Sequence, residues 1–131
     1  MPTFTPLADP AAIVCGPNVR FTVLTSRLLR LEYSPTGGFE DRPSQAFWHR
    51  RQPVPPFTSK VTHRSIEIET EHLLLRYKIN PRGFHRPALS IHLKLAGSTW
   101  RYGMRPRRNL GGTALTLDAV AGETHLEPGL V

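Results

Sequence analysis

Glu67 and Glu69 stand two apart in Ile66-Glu67-Ile68-Glu69-Thr70. On a strand that spacing puts both carboxylates on one face, opposite the isoleucines. Two neighbouring carboxylates are what glycoside hydrolysis uses, an acid with a nucleophile or base. A strand with a solvated, charged face gives the same pattern, and that is the expectation here. A second group is basic: Arg101, Arg105, Arg107 and Arg108, with Tyr102 among them. Arginine beside an aromatic ring suits a phosphate chain and a stacked base. The same residues serve equally in a solvated loop or as partners for carboxylates of a neighbouring domain, and no nucleic-acid-binding motif accompanies them. The histidines (His49, His63, His72, His85, His92, His125) are scattered. Zinc calls for three or four convergent ligands. No histidine pair has tight ligand spacing with a cysteine or carboxylate close by, so no metal and no cofactor are expected. Cys15, beside Val14 and without a local basic activator, reads as a small core hydrophobe. There is no Gly-x-Ser-x-Gly nucleophile elbow. Gly111-Gly112-Thr113 lacks the lysine and the following helix of a phosphate loop, and is read as a close-packed bend. No catalytic residue is assigned.

The composition narrows the class. A chain of 131 residues suits one domain. Lys plus Arg total 17 against 10 acids, so the net charge is 17 − 10 = +7. Only Lys60, Lys78 and Lys94 are lysines, so the charge is mostly guanidinium, which pairs with carboxylates as readily as with phosphates. Thirteen prolines argue against long helices and for short strands joined by turns. One cysteine forms no internal disulfide, which points to a reducing compartment, the cytoplasm. No apolar run approaches the ~20 residues of a membrane span. Met1-Pro2-Thr3-Phe4-Thr5-Pro6 lacks the basic start and apolar stretch of a signal peptide.

The elements that must position these residues follow a period of two. Val19, Phe21 and Val23 alternate with Arg20, Thr22 and Leu24, and after Ser26-Arg27 the residues Leu29, Leu31 and Tyr33 alternate with Arg30 and Glu32. This predicts a hairpin. Ile66 to Thr70, a break at Glu71-His72, then Leu73, Leu75, Tyr77 and Ile79 predict a second. Asn80-Pro81-Arg82-Gly83 is a turn. Leu89, Ile91, Leu93 and Leu95 predict a further strand, followed by Thr99-Trp100-Arg101-Tyr102. Pro53-Val54-Pro55-Pro56 is excluded from a central strand and reads as an extended crossing between sheets or along an edge. Seven to nine short strands without a helix predict an all-β, antiparallel β-sandwich.

Four stretches carry a resemblance. They are Asn18-Val19-Arg20-Phe21-Thr22-Val23-Leu24-Thr25-Ser26-Arg27-Leu28-Leu29-Arg30-Leu31-Glu32-Tyr33; Phe39-Glu40-Asp41-Arg42-Pro43-Ser44-Gln45-Ala46-Phe47 with Arg50-Arg51; Ile68-Glu69-Thr70-Glu71-His72-Leu73-Leu74-Leu75-Arg76-Tyr77; and Asn109-Leu110-Gly111-Gly112-Thr113, then Thr116-Leu117-Asp118 and Leu126-Glu127-Pro128-Gly129-Leu130. In this order they resemble the N-terminal domain of glycoside hydrolase family 31, the α-glucosidase and α-xylosidase family, in its bacterial form. The resemblance implies a β-sandwich of the galactose-mutarotase-like type. It implies a following (β/α)₈ barrel that holds the nucleophilic and the acid/base aspartates of a retaining α-glycosidase. No residue here matches those two, so this chain by itself is expected to hydrolyse no glycoside. Its expected partners are the barrel of its own longer chain and a carbohydrate substrate, with no nucleic acid and no membrane. In the family a loop of this domain reaches the leaving-group side of the substrate. Asp118 is the candidate there, as an acceptor for sugar hydroxyls, or else as a cap on the turn that follows it. Phe47, Trp48 and Trp100 either form a sugar-stacking platform or bury in the sandwich and against the barrel. A stand-alone carbohydrate-binding module and a basic nucleic-acid-binding β-domain are the alternatives. An apolar face without its barrel would favour a homo-oligomer.

Overall fold

The computed structural model describes Thr3, residues 5–42 and residues 49–105. β1 (Ile13–Gly16), β2 (Val19–Thr25) and β3 (Leu28–Tyr33) form a three-stranded antiparallel sheet in that order. β4 (Phe57–Val61), β5 (Ser65–Thr70), β6 (Leu73–Lys78), β7 (Leu89–Leu93) and β8 (Ser98–Arg101) form a five-stranded antiparallel sheet, again in chain order. One turn of 3-10 helix, Pro10–Ala12, capped by the Asp9 carboxylate, precedes β1. The domain is all-β and sandwich-like, as the period of two predicts.

The alternation sorts residues onto two faces. Val14, Val19, Phe21 and Val23 of the small sheet meet Ile66, Ile68, Leu75, Tyr77 and Leu89 of the large one in a single apolar core. The side chains of Leu29, Leu31, Tyr33, Ile91 and Trp100 close its edges. Phe84, in the loop after β6, joins the aromatic part. Its ring lies 5.9 Å from Phe21, 5.5 Å from Tyr77 and 6.0 Å from Tyr33. The turn before it is the expected one. Gly83 takes φ +73, and a side chain there would run into the Tyr33 ring. Both predicted hairpin turns, Ser26-Arg27 and Glu71-His72, lie between the strands as expected. The proline-rich stretch carries the chain from the small sheet to the large one without joining either.

Three readings change. Cys15 is exposed, because β1 alternates and Val14 takes the inward position. The register pairs Cys15 with Arg20 on the outer face and Val14 with Phe21 on the inner. β7 ends at Leu93, so Leu95 is not a strand residue; it sits in the following turn at 88% exposure, where Gly97 takes φ +63. β1 and β4 go unread in the sequence. β1 is four residues long, and Thr58, Ser59 and Lys60 in β4 are polar and exposed, as suits an edge strand.

Candidate functional site

The outer face of the large sheet presents two rows set by register. One runs Lys60, Glu67, Arg76, Ser90, Arg101 across the five strands; the next runs Thr58, Glu69, Leu74, His92, Thr99. Glu67 and Glu69 do share this face. Each is held by a cation rather than by the other: Arg76 Nε lies 3.2 Å from Glu67, and Lys94 Nζ 2.7 Å from Glu69. Lys94 keeps the Glu69 carboxyl below the usual carboxylate range. Each carboxylate is engaged by its own cation at the sheet surface, the arrangement of a solvated, charged strand face. Beside it Leu74, Arg76, Ser90, His92, Thr99 and Arg101 line a hollow of about 320 Å³. His92 Nδ1 and Thr99 Oγ1 are 3.1 Å apart. Arg101 has no ion-pair partner among the described residues. Guanidinium, imidazole and hydroxyl groups here can hydrogen-bond hydroxyl-rich or anionic ligands. Among the described residues no aromatic ring lines the hollow: Trp100, at the adjacent position on β8, packs on the core side opposite Ile91.

The tips of the two hairpins bring together a serine, a histidine and an acid. Ser26 Oγ lies 2.9 Å from His72 Nδ1, and Glu71 Oε1 is 4.0 Å from His72 Nε2. The hydrogen-bond directions rule out a nucleophilic triad. Arg27 Nη2 sits 3.2 Å from His72 Nε2, and arginine only donates, so Nε2 is the acceptor. The proton of a neutral imidazole is then on Nδ1, which donates to Ser26 Oγ and takes no proton from it. A triad base needs the reverse. Thr70 completes the contact: its Oγ1 donates to the Ser26 carbonyl at 2.6 Å and accepts from the His72 and Leu73 amides at 3.2 and 3.0 Å. This cluster is a tie between the sheets. Beside it Arg27, His72, Leu73, Leu93, Leu95 and Ala96 line a mainly apolar hollow of about 480 Å³.

The outer face of the small sheet carries an arginine cluster. Arg20 of β2 is directly opposite Glu32 of β3 and grips it bidentately, at 2.7 and 2.9 Å. Glu32 above all raises the Arg20 pKa. Arg20 Nη1 also reaches Asp41 at 2.8 Å, and Arg30 Nη1 reaches Glu32 at 2.7 Å. The Glu40 carbonyl accepts from Arg50, Arg30 and Arg20 at 2.9, 3.2 and 3.3 Å, while Arg50 also donates to the Arg42 carbonyl at 2.7 Å. The Phe39 ring lies 5.0 Å from the Arg20 guanidinium. The alternation shows which arginines leave the core, but not that residues 39–42 fold back over them.

Asp118, Phe47, Trp48, Arg107 and Arg108 lie outside the described residues. Arg101 and Arg105 are exposed, and Tyr102 packs edge-on against Trp100 with centroids 6.4 Å apart. Among the described residues no three His, Cys, Asp or Glu side chains gather as a metal site, and no helix is long and apolar enough to cross a membrane. Fold and surface together define an all-β, two-sheet domain with a polar hollow on its larger sheet. No protein-family model matches the chain, and no curated protein matches it.

Proposed function

We propose that this chain is the non-catalytic N-terminal β-sandwich, of the galactose-mutarotase-like type, of a family 31 retaining α-glycosidase. It packs on the catalytic barrel and shapes the leaving-group side of the substrate site, with Asp118 as the residue that meets the sugar. One observation carries the reading. The family-like stretches that fall within the described residues build one connected frame. Residues 18–33 hold residues 39–42 and Arg50 through the arginine cluster, and hold residues 68–77 through Ser26, Thr70 and His72 and the Phe21–Tyr77 ring contact at 5.7 Å. Residues that matter together in a family are expected to touch. The unpaired Cys15 fits a cytoplasmic protein.

The test is the coding sequence beyond residue 131 and the activity of its full-length product on aryl α-glycosides. The expected result is a barrel, hydrolysis with retained anomeric configuration, and no turnover by residues 1–131 alone. A full-length product without a barrel, or turnover by residues 1–131 that survives removal of contaminating enzymes, overturns the proposal. Replacing Asp118 by Asn in the full-length protein is expected to raise KM more than it lowers kcat.

The polar hollow on the large sheet favours a second reading, a carbohydrate-binding module. Calorimetric titration with oligosaccharides distinguishes it: saturable millimolar binding, lost when Arg101 and His92 are both replaced by Ala, supports the module, and no binding favours the scaffold.

A further inference from the structure

The polar hollow on the large sheet has a wall made mostly of donors. On the outer face of the β7–β8 hairpin, register sets Ser90 opposite Arg101 and His92 opposite Thr99. These four side chains mark the corners of a patch about 5 by 7 Å, small enough for one group to meet all four. Among the described residues the Arg101 guanidinium and the Ser90 hydroxyl bond nothing. His92 Nδ1 is occupied by Thr99 Oγ1 at 3.1 Å, which leaves Nε2 for a ligand. An acceptor at Nε2 selects the tautomer in which Nε2 donates and the Thr99 hydroxyl donates to Nδ1.

Acceptors are scarce beside these donors. No carboxylate lines the hollow. Glu67, in the same row, is taken by Arg76 at 3.2 Å, and Glu69, in the next, by Lys94 at 2.7 Å. Arg76 is thereby neutralised, so Arg101 supplies the free charge of the wall. A neutral sugar offers hydroxyls that donate as well as accept, and donors alone match half of that capacity. A ligand that only accepts matches all of it. The hollow is partly open, so this selection rests on the chemistry of its wall and not on its volume. The donors also stand on more than one side. A carboxylate has two oxygens, which the fork of Arg101 fills alone, whereas a phosphate has a third for Ser90 and His92.

We propose that this hollow binds a phosphate group, free or carried on a sugar. Arg101 holds two of its oxygens, and Ser90 Oγ and His92 Nε2 donate to the remainder. The inference does not rest on the family 31 reading. It shares its site with the module reading and changes the ligand from a neutral sugar to a phosphorylated one.

The test is an NMR titration of the purified chain with sodium phosphate, glucose-6-phosphate and glucose, at fixed pH and at ionic strength held constant with sodium chloride. Phosphate and glucose-6-phosphate are expected to shift the amides of Ser90, His92, Thr99 and Arg101 saturably, with half the effect at millimolar concentration, and glucose is not. Tighter binding of glucose-6-phosphate identifies a sugar phosphate as the ligand; binding no tighter than phosphate identifies the free ion. Arg101→Gln is expected to weaken phosphate binding about tenfold or more, the size of a charge-assisted hydrogen bond, and Ser90→Ala several-fold. Arg51→Gln removes the same charge from an exposed residue outside both sheets and is expected to leave binding unchanged. A half-effect only above about 0.1 M, or equal weakening by Arg51→Gln and Arg101→Gln, overturns the proposal, because net charge then explains the response. Saturable binding of glucose or neutral oligosaccharides without a response to phosphate also overturns it, and leaves the module reading standing. None of these outcomes bears on the family 31 reading.

Discussion

Thr70→Val is expected to loosen the two sheets from each other. Thr70 is 3% exposed and sits where the tips of the two hairpins meet. Valine has nearly the same shape and an equal liking for strands, so packing and propensity hardly change. The hydroxyl is lost, and with it the bond to the Ser26 carbonyl and the acceptor for the His72 and Leu73 amides. The Leu73 bond is buried and the other two are part-buried. A buried donor left unpaired costs about 1–3 kcal/mol, while a part-buried group recovers some of its loss from water. The expected destabilisation is about 2–4 kcal/mol. Thr70→Ser keeps the hydroxyl and loses one methyl group, about 1 kcal/mol. Urea unfolding followed by tryptophan fluorescence separates them. With m in the usual range for a small domain, Thr70→Val moves the midpoint down by about 1–2 M and Thr70→Ser by half a molar or less. Hydrogen exchange adds a local readout, with the Leu73 amide losing protection only in the valine variant. Equal midpoints for the two variants refute the argument that the hydroxyl joins the sheets.

Glu40 titrates at about 2, held down chiefly by its hydrogen bonds from Arg42. A lowered carboxyl value means that the contact supports the folded state above the ordinary value near 4.5 and is lost as pH falls from there to about 2. Carbon-detected NMR should place the Glu40 midpoint near 2, and Arg42→Ala should move it up toward 4.5. Gly83→Ala is expected to cost more than the ~1–2 kcal/mol of a left-handed residue, because the new methyl lies 2.5 Å from the Tyr33 ring; a thermal shift under 2 °C contradicts this. Ser26→Ala should change no ester or glycoside hydrolysis by the chain, since His72 donates to that hydroxyl; an activity lost in Ser26→Ala and kept in Thr70→Ser would restore the triad. Phe84→Ala should cost about 3–5 kcal/mol in urea unfolding, because its ring joins Phe21, Tyr33 and Tyr77.

What the sequence made legible follows from which forces are local. The β2–β3 and β5–β6 hairpins combine strict alternation with short polar breaks, so strand, face and turn are all decided within a dozen residues. Gly83 is legible for the same reason, as the last residue of a proline-started turn. β1 and β4 are not legible, because a four-residue strand and a polar edge strand owe their state to a neighbour's hydrogen bonds and not to their own side chains. Cys15 reads as a core residue only while β1 goes unrecognised: once that strand pairs with β2, Val14 turns inward and its neighbour outward. The arginine cluster needs the backbone of residues 40–42 as acceptor, a contact spanning loops that no periodicity encodes.

That cluster also changes what the +7 charge means. A basic total invites a polyanion, yet the most buried arginines spend their hydrogen bonds inside the domain. Arg20 is committed to Glu32 and Asp41, and Arg50 to two carbonyls. A guanidinium can do this because its planar fork satisfies carboxylate and carbonyl oxygens at fixed angles, which a lysine ammonium cannot. The three lysines lie elsewhere: Lys60 and Lys78 are exposed, and Lys94 bonds Glu69 on the opposite sheet. Charge available to a partner lies instead on exposed side chains such as Arg101, which has no ion-pair partner among the described residues. A ligand attracted by the net charge would meet such exposed residues first, and lysine substitution at Arg101 should weaken its binding far less than lysine substitution at Arg50, which gives up hydrogen bonds to two carbonyls, weakens the fold.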